Sequence, residues 1–274
     1  FLYRLSKSAH GGKFVLKGAL MLAVWQEPPW RPTMDIDLLG RNISNDVEAM
    51  RAVTRDVCSQ QVERDGVVSD PKTIQAERVI EGADYEGVRL RFWAVLGTAR
   101  VRMQLDVAFG DVVVPRAGRV EYPTILDMPA PRLRGYSKDS LIAEKFQAMV
   151  SLGLLNSRMK DFFDIWLLSR QFDFHGGTLA TAIAKTFAKR RTVLAPDAPA
   201  LSAAFAADAS KGAQWRAFVR RSRLDNAPAD FAAVIAGVAA FLGPIAQAVA
   251  AHRSFDGSWK APGPWLPQPA AEQA

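Results

Sequence analysis

The stretch RPTMDIDLLG, residues 31–40, places two acidic residues one position apart inside an apolar run. Residues 34–39 are predicted as a strand that ends at a glycine. Because successive side chains of a strand alternate between its faces, Asp35 and Asp37 should point to the same side. Two carboxylates on one face of a half-buried strand repel each other unless they are protonated, hydrated or bridged by a cation. The stretch therefore predicts a cation site on one face of a sheet.

The segment QLDVAFGD, residues 104–111, repeats this pattern. Asp106 alternates with the apolar Leu105 and Val107, which is typical of a half-buried strand. If this strand lies beside the first, three carboxylates come together. Carboxylate oxygens suit Mg²⁺, which usually keeps waters and substrate phosphates among its ligands. Although a single strand aspartate is most often simply hydrated, the recurrence favours a metal-dependent phosphoryl or nucleotidyl transfer site.

The composition is that of a folded protein with an anionic partner. The chain has 274 residues, of which 49% are hydrophobic and 23% charged, and its net charge is +7. This length is sufficient for one large domain or two ordinary ones. A basic balance favours nucleic acid, nucleotides or an acidic protein as partners, although solubility alone could also explain it.

The compartment is predicted from cysteine usage and hydropathy. The single cysteine, Cys58, excludes an internal disulfide and fits a reducing compartment, so we expect a cytoplasmic protein. The first residues lack a basic-then-apolar leader, which argues against a signal peptide. Residues 227–250 are the most apolar run, but prolines, glycines and polar residues interrupt it. We therefore expect no membrane partner.

Hydrophobic periodicity predicts an α+β fold with two parts. Alternation predicts strands over 88–96 and 99–109 joined by a turn at Gly97–Thr98, and a further strand over 73–80. The proline-rich stretch 114–131 is predicted as the seam, beyond which the pattern is helical. Helices are predicted over 1–9, 13–25, 47–62, 138–152, 158–172, 178–189, 199–207, 213–221 and 229–253.

Two candidate phosphate-binding groups and a helical aspartate lie outside the acidic strands. Lys17–Gly18, in the run LKGAL, precedes the first acidic strand, and a glycine at a helix start lets backbone N–H groups approach an anion. Lys145 lies on an amphipathic helix, and Asp161 shares a helix face with Asp164. Taken singly, Lys145 could equally be an exposed lysine, and Asp161 could be an ion-pair partner of a nearby cation.

Together these segments resemble the AbiEii/AbiGii toxin family of nucleotidyltransferases, which includes the MenT toxins and belongs to the polymerase-β-like superfamily. The resemblance runs from about residue 14 to residue 168. It depends on the order of five segments rather than on any one of them. The segments are LKGAL, RPTMDIDL, QLDVAFGD, IAEKFQAM and RMKDFFDIW.

The resemblance implies a fold and an activity. The fold is a nucleotidyltransferase domain with a mixed sheet over residues 1–130, followed by a mostly α-helical domain over 131–256 and a loosely ordered tail over 257–274. The implied activity is Mg²⁺-dependent transfer of NMP from an NTP to an RNA acceptor, the tRNA 3′ end above all, which blocks translation. A cognate antitoxin is the implied partner.

The resemblance also assigns roles to residues. Asp35, Asp37 and Asp106 would bind metal, and Asp106 would also draw the proton from the attacking hydroxyl. Lys145 in the helical domain would contact nucleotide phosphates, with Asp161 as its acidic partner. The implied nucleotide-binding set is Lys17, Gly18, Thr33 and Lys145, and Arg31 could add positive charge. This chain departs from the superfamily at Ala19, where a serine usually follows the glycine.

Two alternatives remain open at this stage. A related transferase could modify a protein acceptor by adding AMP or UMP. A module that binds RNA or another partner without catalysis is the third reading, although clustered acids repel RNA unless cations intervene.

Overall fold

The protein, described by a computed structural model over residues 1–25, 31–63, 65–81 and 85–267, divides into two compact units. Unit 1 comprises Phe1–Asp111 and Arg116–Tyr136, and unit 2 comprises Val112–Pro115 and Ser137–Ala274. The chain thus passes into unit 2 a few residues beyond the predicted seam. The functional division into a catalytic and a helical domain stays a prediction.

Unit 1 is built around a mixed sheet that has seven strands in the described part of the chain. Its strand order is β3-β4-β5-β2-β1-β7-β6, with β2–β5 and β1–β7 parallel and the other pairs antiparallel. The strands are β1 (Phe14–Lys17), β2 (Asp35–Gly40), β3 (Val67–Glu81), β4 (Tyr85–Leu96), β5 (Ala99–Phe109), β6 (Gly118–Glu121) and β7 (Arg132–Gly135). The helices are α1 (Leu2–Lys7), α2 (Leu20–Trp25) and α3 (Val47–Ser59).

One face of this sheet forms the core of unit 1. Val88, Leu90 and Phe92 of β4 are each at most 2% exposed, as the alternation predicted. Helix α3 covers the same face, because Met50 and Val57 line a small cavity together with apolar residues of β2 and β5. The predicted hairpin of β4 and β5 is confirmed, and the acidic residues of the strands are left on the opposite face.

The prediction of a helix over residues 13–25 is wrong in its first half. Residues Phe14–Lys17 form β1, which lies between β2 and β7 and is buried at all four positions. A strand that is covered on both faces shows no alternation of apolar and polar residues, so its pattern resembles that of a buried helix. The helix begins only at Leu20.

Unit 2 is mostly helical, as predicted. Its helices pack around an aromatic core in which the Phe162 ring stacks on Phe205 at 5.5 Å and meets Phe231 edge-on at 5.3 Å. The helices are α4 (Lys138–Leu152), α5 (Met159–Gln171), α6 (Gly176–Lys189), α7 (Ala203–Ala207), α8 (Ala209–Ser222) and α9 (Phe231–Ala250). The strands β8 (Phe174–His175), β9 (Ser258–Trp259) and β10 (Trp265–Leu266) form a small antiparallel sheet in the order β10-β9-β8.

The helix predicted over residues 229–253 is confirmed as α9. It continues through Pro244 for 20 residues, and by length and composition it could cross a membrane. The same test is passed by core helices of soluble folds, and Val238, Phe241 and Leu242 of this helix are completely buried inside unit 2. The helix therefore serves as a core element of unit 2 within the described residues.

The tail is more ordered than predicted up to residue 267. Trp259 is 3% exposed and its indole N–H donates to the Ser169 carbonyl oxygen at 2.6 Å. The Trp265 ring stacks on the Phe241 ring, with the two ring centroids 5.6 Å apart and the ring planes 6° from parallel. Aromatic anchors thus fix β9 and β10 to α5 and α9, and residues 268–274 lie outside the described residues.

Candidate active site

A row of charged side chains crosses the open face of the sheet in unit 1. The register pairs Arg89 with Asp106, Asp106 with Asp37, and Asp37 with Lys17, on the neighbouring strands β4, β5, β2 and β1. Residues paired in this way share a face, and adjacent strands lie about 4.8 Å apart. The prediction that the strands of Asp37 and Asp106 are neighbours is confirmed.

Gly18 lies directly against the Asp37 carboxylate. Its φ of +68° belongs to the left-handed region, and a Cβ built on it would lie 2.0 Å from Asp37 Oδ2. Only glycine meets both conditions without strain. Gly18 occupies the turn between β1 and α2, before the helix itself begins, so its backbone closely adjoins one acid of the row. Donation from its N–H to a phosphate stays a prediction.

Asp106 is held by Arg89 in a two-point ion pair. The guanidinium Nε donates to Oδ1 at 2.7 Å and Nη2 donates to Oδ2 at 2.9 Å, while Gln104 donates to Oδ2 at 3.3 Å. The hydrogen bonds that Arg89 donates to Asp106, followed by the charges of Asp106 and Asp35, raise the pKa of Arg89. Arg89 therefore neutralises the acid that was expected to serve as a metal ligand or base.

Lys17 is held on the other side of Asp37. Its ammonium donates to Asp111 Oδ2 at 2.6 Å, and the two side chains are only 9% and 4% exposed. The ammonium also lies 5.2 Å from the centroid of the Tyr136 ring. A buried, paired lysine is fixed in position, so Lys17 places a positive charge beside the aspartate row rather than sampling solvent.

A pocket of about 100 Å³ opens along this row. Its walls include Lys17, Asp37, Arg89 and Asp106, together with the apolar Val79, Val88, Val107 and Ala108 and the backbone at Gly87. The sheet thus brings four of the charged groups to one concave surface. Pockets with a few convergent polar groups are the usual form of small-molecule sites.

Asp35 and Thr33 lie one step away from this row. Asp35 is half-buried and is paired in register with Gln104, one repeat along β2 from Asp37. Thr33 is half-buried and precedes β2 by two residues. Arg31, two residues earlier, is 8% exposed and donates to the carbonyl oxygen of Pro32 at 3.3 Å. The roles of these side chains stay predictions.

The donor set fits a hard divalent cation by its chemistry, because Asp35, Asp37 and Asp106 offer carboxylate oxygens on one face. The predicted convergence of all three on one point is not found: the described residues contain no group of three or more acidic, histidine or cysteine side chains placed to hold a metal. Both oxygens of Asp106 instead accept hydrogen bonds from Arg89. Metal binding by these aspartates stays a prediction.

A second charged cluster is buried in unit 2. The Lys145 ammonium donates to Asp161 Oδ1 at 2.7 Å and pairs with Asp164 Oδ2 at 2.8 Å, and both carboxylates are completely buried. Arg158 Nε donates to Asp161 Oδ2 at 2.6 Å. The predicted partnership of Lys145 with Asp161 is thus present as an ion pair, and Lys145 is a buried rather than an exposed helix lysine.

The electrostatics of Asp161 follow from these partners. Burial acts to raise the pKa of this carboxyl, but the charges of Lys145 and Arg158 outweigh it, so the pKa lies below its ordinary value. Asp161 is therefore ionised at neutral pH. The cluster contains two acids and two bases, which balances charge inside the helical unit.

Several residues of these clusters were missed or underused by the sequence reasoning. Arg89 could have been found from the alternation of β4, because it lies between the apolar residues Val88 and Leu90 and therefore on the polar face of the strand. Asp111 follows β5 and pairs with a residue 94 positions away, which no local pattern indicates. Asp164 was noted only as a face neighbour of Asp161.

These features define the class: an α+β protein whose mixed sheet presents register-matched aspartates beside a small pocket, with the donor chemistry of a cation-dependent phosphate site. The family follows from the sequence, since residues 1–237 match the family described as nucleotidyl transferase AbiEii toxin, type IV toxin–antitoxin system. The chain belongs to this family of nucleotidyltransferase toxins, and the resemblance drawn from the five segments is confirmed. Membership implies a nucleotide substrate, a divalent cation and a cognate antitoxin.

Solved structures give distant likenesses. MenT4, a nucleotidyltransferase toxin from Mycobacterium tuberculosis H37Rv, is 17% identical with a TM-score of 0.45, over 92% of this chain and 90% of that chain. JHP933 from Helicobacter pylori is 15% identical with a TM-score of 0.44, over 92% of this chain and 88% of that chain. Curated protein sequences gave no match.

Proposed function

We propose that this protein transfers a nucleoside monophosphate from an NTP to an RNA acceptor, with Mg²⁺ as the cation and the tRNA 3′ end as the acceptor. Modification of that end would block translation, and a cognate antitoxin would restrain the toxin. Substrates and product of this kind place the reaction in the cytoplasm.

One observation supports the proposal above the others. Asp37 is opposite Asp106 in the sheet, and Gly18 closes on Asp37 so tightly that a Cβ would lie 2.0 Å from its carboxylate oxygen. The positive φ of Gly18 brings the backbone against the Asp37 carboxylate at a point where any side chain would collide with it. Glycine is the residue that lets a backbone approach a bound group closely.

The residues of unit 1 have distinct parts in this proposal. Asp35 and Asp37 would hold the divalent cation, which supplies positive charge against the roughly four negative charges of a triphosphate. Lys17, fixed by Asp111, would add a cation beside them. Thr33 would contribute its hydroxyl near the same residues, as the family resemblance implies.

Asp106 requires a change of partner before it acts. Its two oxygens accept from Arg89, so its lone pairs are occupied along the directions that a proton or cation would use. An incoming triphosphate is a competing anion for the guanidinium. We propose that Arg89 turns to the phosphates and leaves Asp106 to accept the proton of the attacking hydroxyl.

The chemical step is then an in-line displacement. The acceptor hydroxyl oxygen forms a bond to the α-phosphorus, the bond from that phosphorus to the bridging oxygen breaks, and pyrophosphate leaves. The hydroxyl proton passes to the carboxylate of Asp106. Lys145, fixed by Asp161 and Asp164, is proposed to contact the nucleotide phosphates, as the resemblance implies.

The test is transfer of label from each of the four NTPs in turn, in the presence of Mg²⁺, to total tRNA or to the proteins of a lysate. We expect one NTP to label tRNA, and we expect Asp37→Ala to remove this labelling and the growth arrest that the toxin causes. Label in the protein fraction alone would replace the RNA acceptor with a protein one. A fully active Asp37→Ala protein would end the proposal.

A further inference from the structure

A second polar surface continues from the charged row toward the β4–β5 hairpin. On this face of the sheet β4 carries Arg89, Arg91 and Trp93. On β5 the same face carries Arg102, which pairs in register with Trp93, and Arg100, which pairs with Val95. These positions share the face of Asp106, because residues two apart on a strand point the same way. The other face carries the buried apolar residues Val88, Leu90, Phe92, Leu105 and Val107.

The arginines nearest the aspartates are already compensated. Arg89 pairs with Asp106, and Arg91 donates to Glu77 Oε1 at 2.7 Å and to Gln104 Oε1 at 3.1 Å. Their positive charge is therefore balanced locally. Charge that remains for a partner must come from further along the strands.

The tip of the hairpin supplies that charge together with an aromatic ring. Arg100 and Arg102 are exposed, and neither has a carboxylate partner among the described residues. The Arg100 guanidinium lies 4.5 Å from the centroid of the half-buried Trp93 ring. On β3, Asp70 is opposite Trp93, and Lys72 follows it in the bulge and offsets its charge. The balance around the ring is positive.

We propose that Trp93, Arg100 and Arg102, the Arg–Trp face, bind the single-stranded end of the acceptor RNA and lead it to the aspartate row. The inference rests on the proposed function for its occupant. A positively charged surface that carries a partly exposed aromatic ring is the form in which proteins bind single strands, because bases stack on the ring and arginines contact phosphates.

The dimensions of the sheet suit this role. Arg102 lies four residues before Asp106 on β5, about 13 Å at about 3.3 Å per residue. A strand bound at the Arg–Trp face can therefore reach the pocket at Asp106 with a few nucleotides. Duplex RNA is a poor occupant, since the ring can stack only on bases that are not already stacked in a helix.

The experiment measures binding of the full chain to a fluorescein-labelled single-stranded RNA of about ten nucleotides by anisotropy, over a range of salt concentrations. We expect Trp93→Ala to weaken binding about 5- to 140-fold and Trp93→Phe to retain most of it. Arg102→Ala should lower the salt slope by about 1. The matched control is Arg55→Ala, which removes one exposed arginine from α3 on the opposite face of the sheet.

Three outcomes would overturn the inference. The first is that the Trp93→Ala, Arg102→Ala and Arg55→Ala proteins bind the RNA with equal affinity. The second is that the wild-type protein binds the single strand and its duplex with equal affinity. The third is that Arg102→Ala loses binding to the antitoxin but keeps binding to RNA. Thermal melting checks that each variant is folded.

The two proposals fail separately. If the wild-type protein shows no nucleotide transfer while the Trp93→Ala protein loses RNA binding, RNA binding by the Arg–Trp face is supported and the proposed function is refuted. If transfer occurs with the same acceptor KM in Trp93→Ala, Arg102→Ala and wild type, the proposed function is supported and RNA binding by the Arg–Trp face is refuted.

Discussion

Replacement of Gly18 by alanine tests the contact between the β1–α2 turn and Asp37. The left-handed backbone of Gly18 makes any Cβ cost about 1–2 kcal/mol of stability. The new Cβ would lie 2.0 Å from Asp37 Oδ2, whereas real contacts stay beyond 3.0 Å, so the carboxylate must move by roughly 1 Å. A misplacement of this size typically lowers activity about 100-fold.

The matched control is Gly97→Ala. Gly97 has a φ of +60°, close to that of Gly18, but a Cβ there meets nothing within 4 Å. Both variants should therefore lose the shared backbone cost of about 1–2 kcal/mol in free energy of unfolding in urea titrations, and Gly18→Ala should lose more because its Cβ also displaces the Asp37 carboxylate. Only Gly18→Ala should lose kcat/KM for labelled NMP transfer by about 100-fold. Equal activity of the two variants would refute the argument that Gly18 positions Asp37.

Three further predictions follow from the ion pairs and from Cys58. Arg89→Gln should lower the free energy of unfolding by about 1–2 kcal/mol, because it leaves the Asp106 carboxylate without its positive partner. Added Mg²⁺ should stabilise this variant more than it stabilises the wild-type protein. Equal stabilisation of the two proteins by Mg²⁺ in thermal melts would contradict this. Asp161 has a lowered pKa, so its contribution to stability is present above about pH 4 and is lost as pH falls through the folded value. Asp161→Asn should flatten that acid decline in urea titrations, and an unchanged pH profile would count against the ion pair. Burial raises the pKa of the Cys58 thiol, so at neutral pH it should react with Ellman's reagent only as fast as the protein unfolds, and immediate reaction would contradict its burial.

Much of the fold could be predicted from the sequence where a single face is buried. The alternation predicts the bounds of β5, the end of β4 and the hairpin, because one side of each strand packs on α3 while the other is polar, although β4 begins three residues earlier than predicted, at Tyr85. The amphipathic helix Lys138–Leu152 was predicted with its observed bounds, since Ser137 caps its first turn and Gly153 follows its end.

The errors arose where periodicity carries no information. In β1 both faces are buried, so its four residues, three apolar ones and a lysine with an aliphatic side-chain stem, lack the alternation that indicates a strand. The ordered tail was missed because Trp259 and Trp265 are separated by prolines and glycines, and only packing against distant aromatic rings fixes them.

The site was predicted in part. The shared face of Asp35 and Asp37 follows from strand geometry, but the pairing of Asp37 with Asp106 depends on β2 lying beside β5 across a long stretch of chain. The partners Arg89 and Asp111 depend on the same strand order, which local sequence does not encode. The pairing of strands that are distant in sequence therefore determines which acidic residues have a positively charged partner.

The most direct test of the central claim is a crystal structure with Mn²⁺ and a non-hydrolysable NTP, with the metal located by anomalous scattering. The account predicts a metal peak at bonding distance, about 2.1 Å, from oxygens of Asp37 and Asp35, with Arg89 turned from Asp106 toward the phosphates. A nucleotide bound elsewhere, or a metal that avoids Asp37, would contradict it.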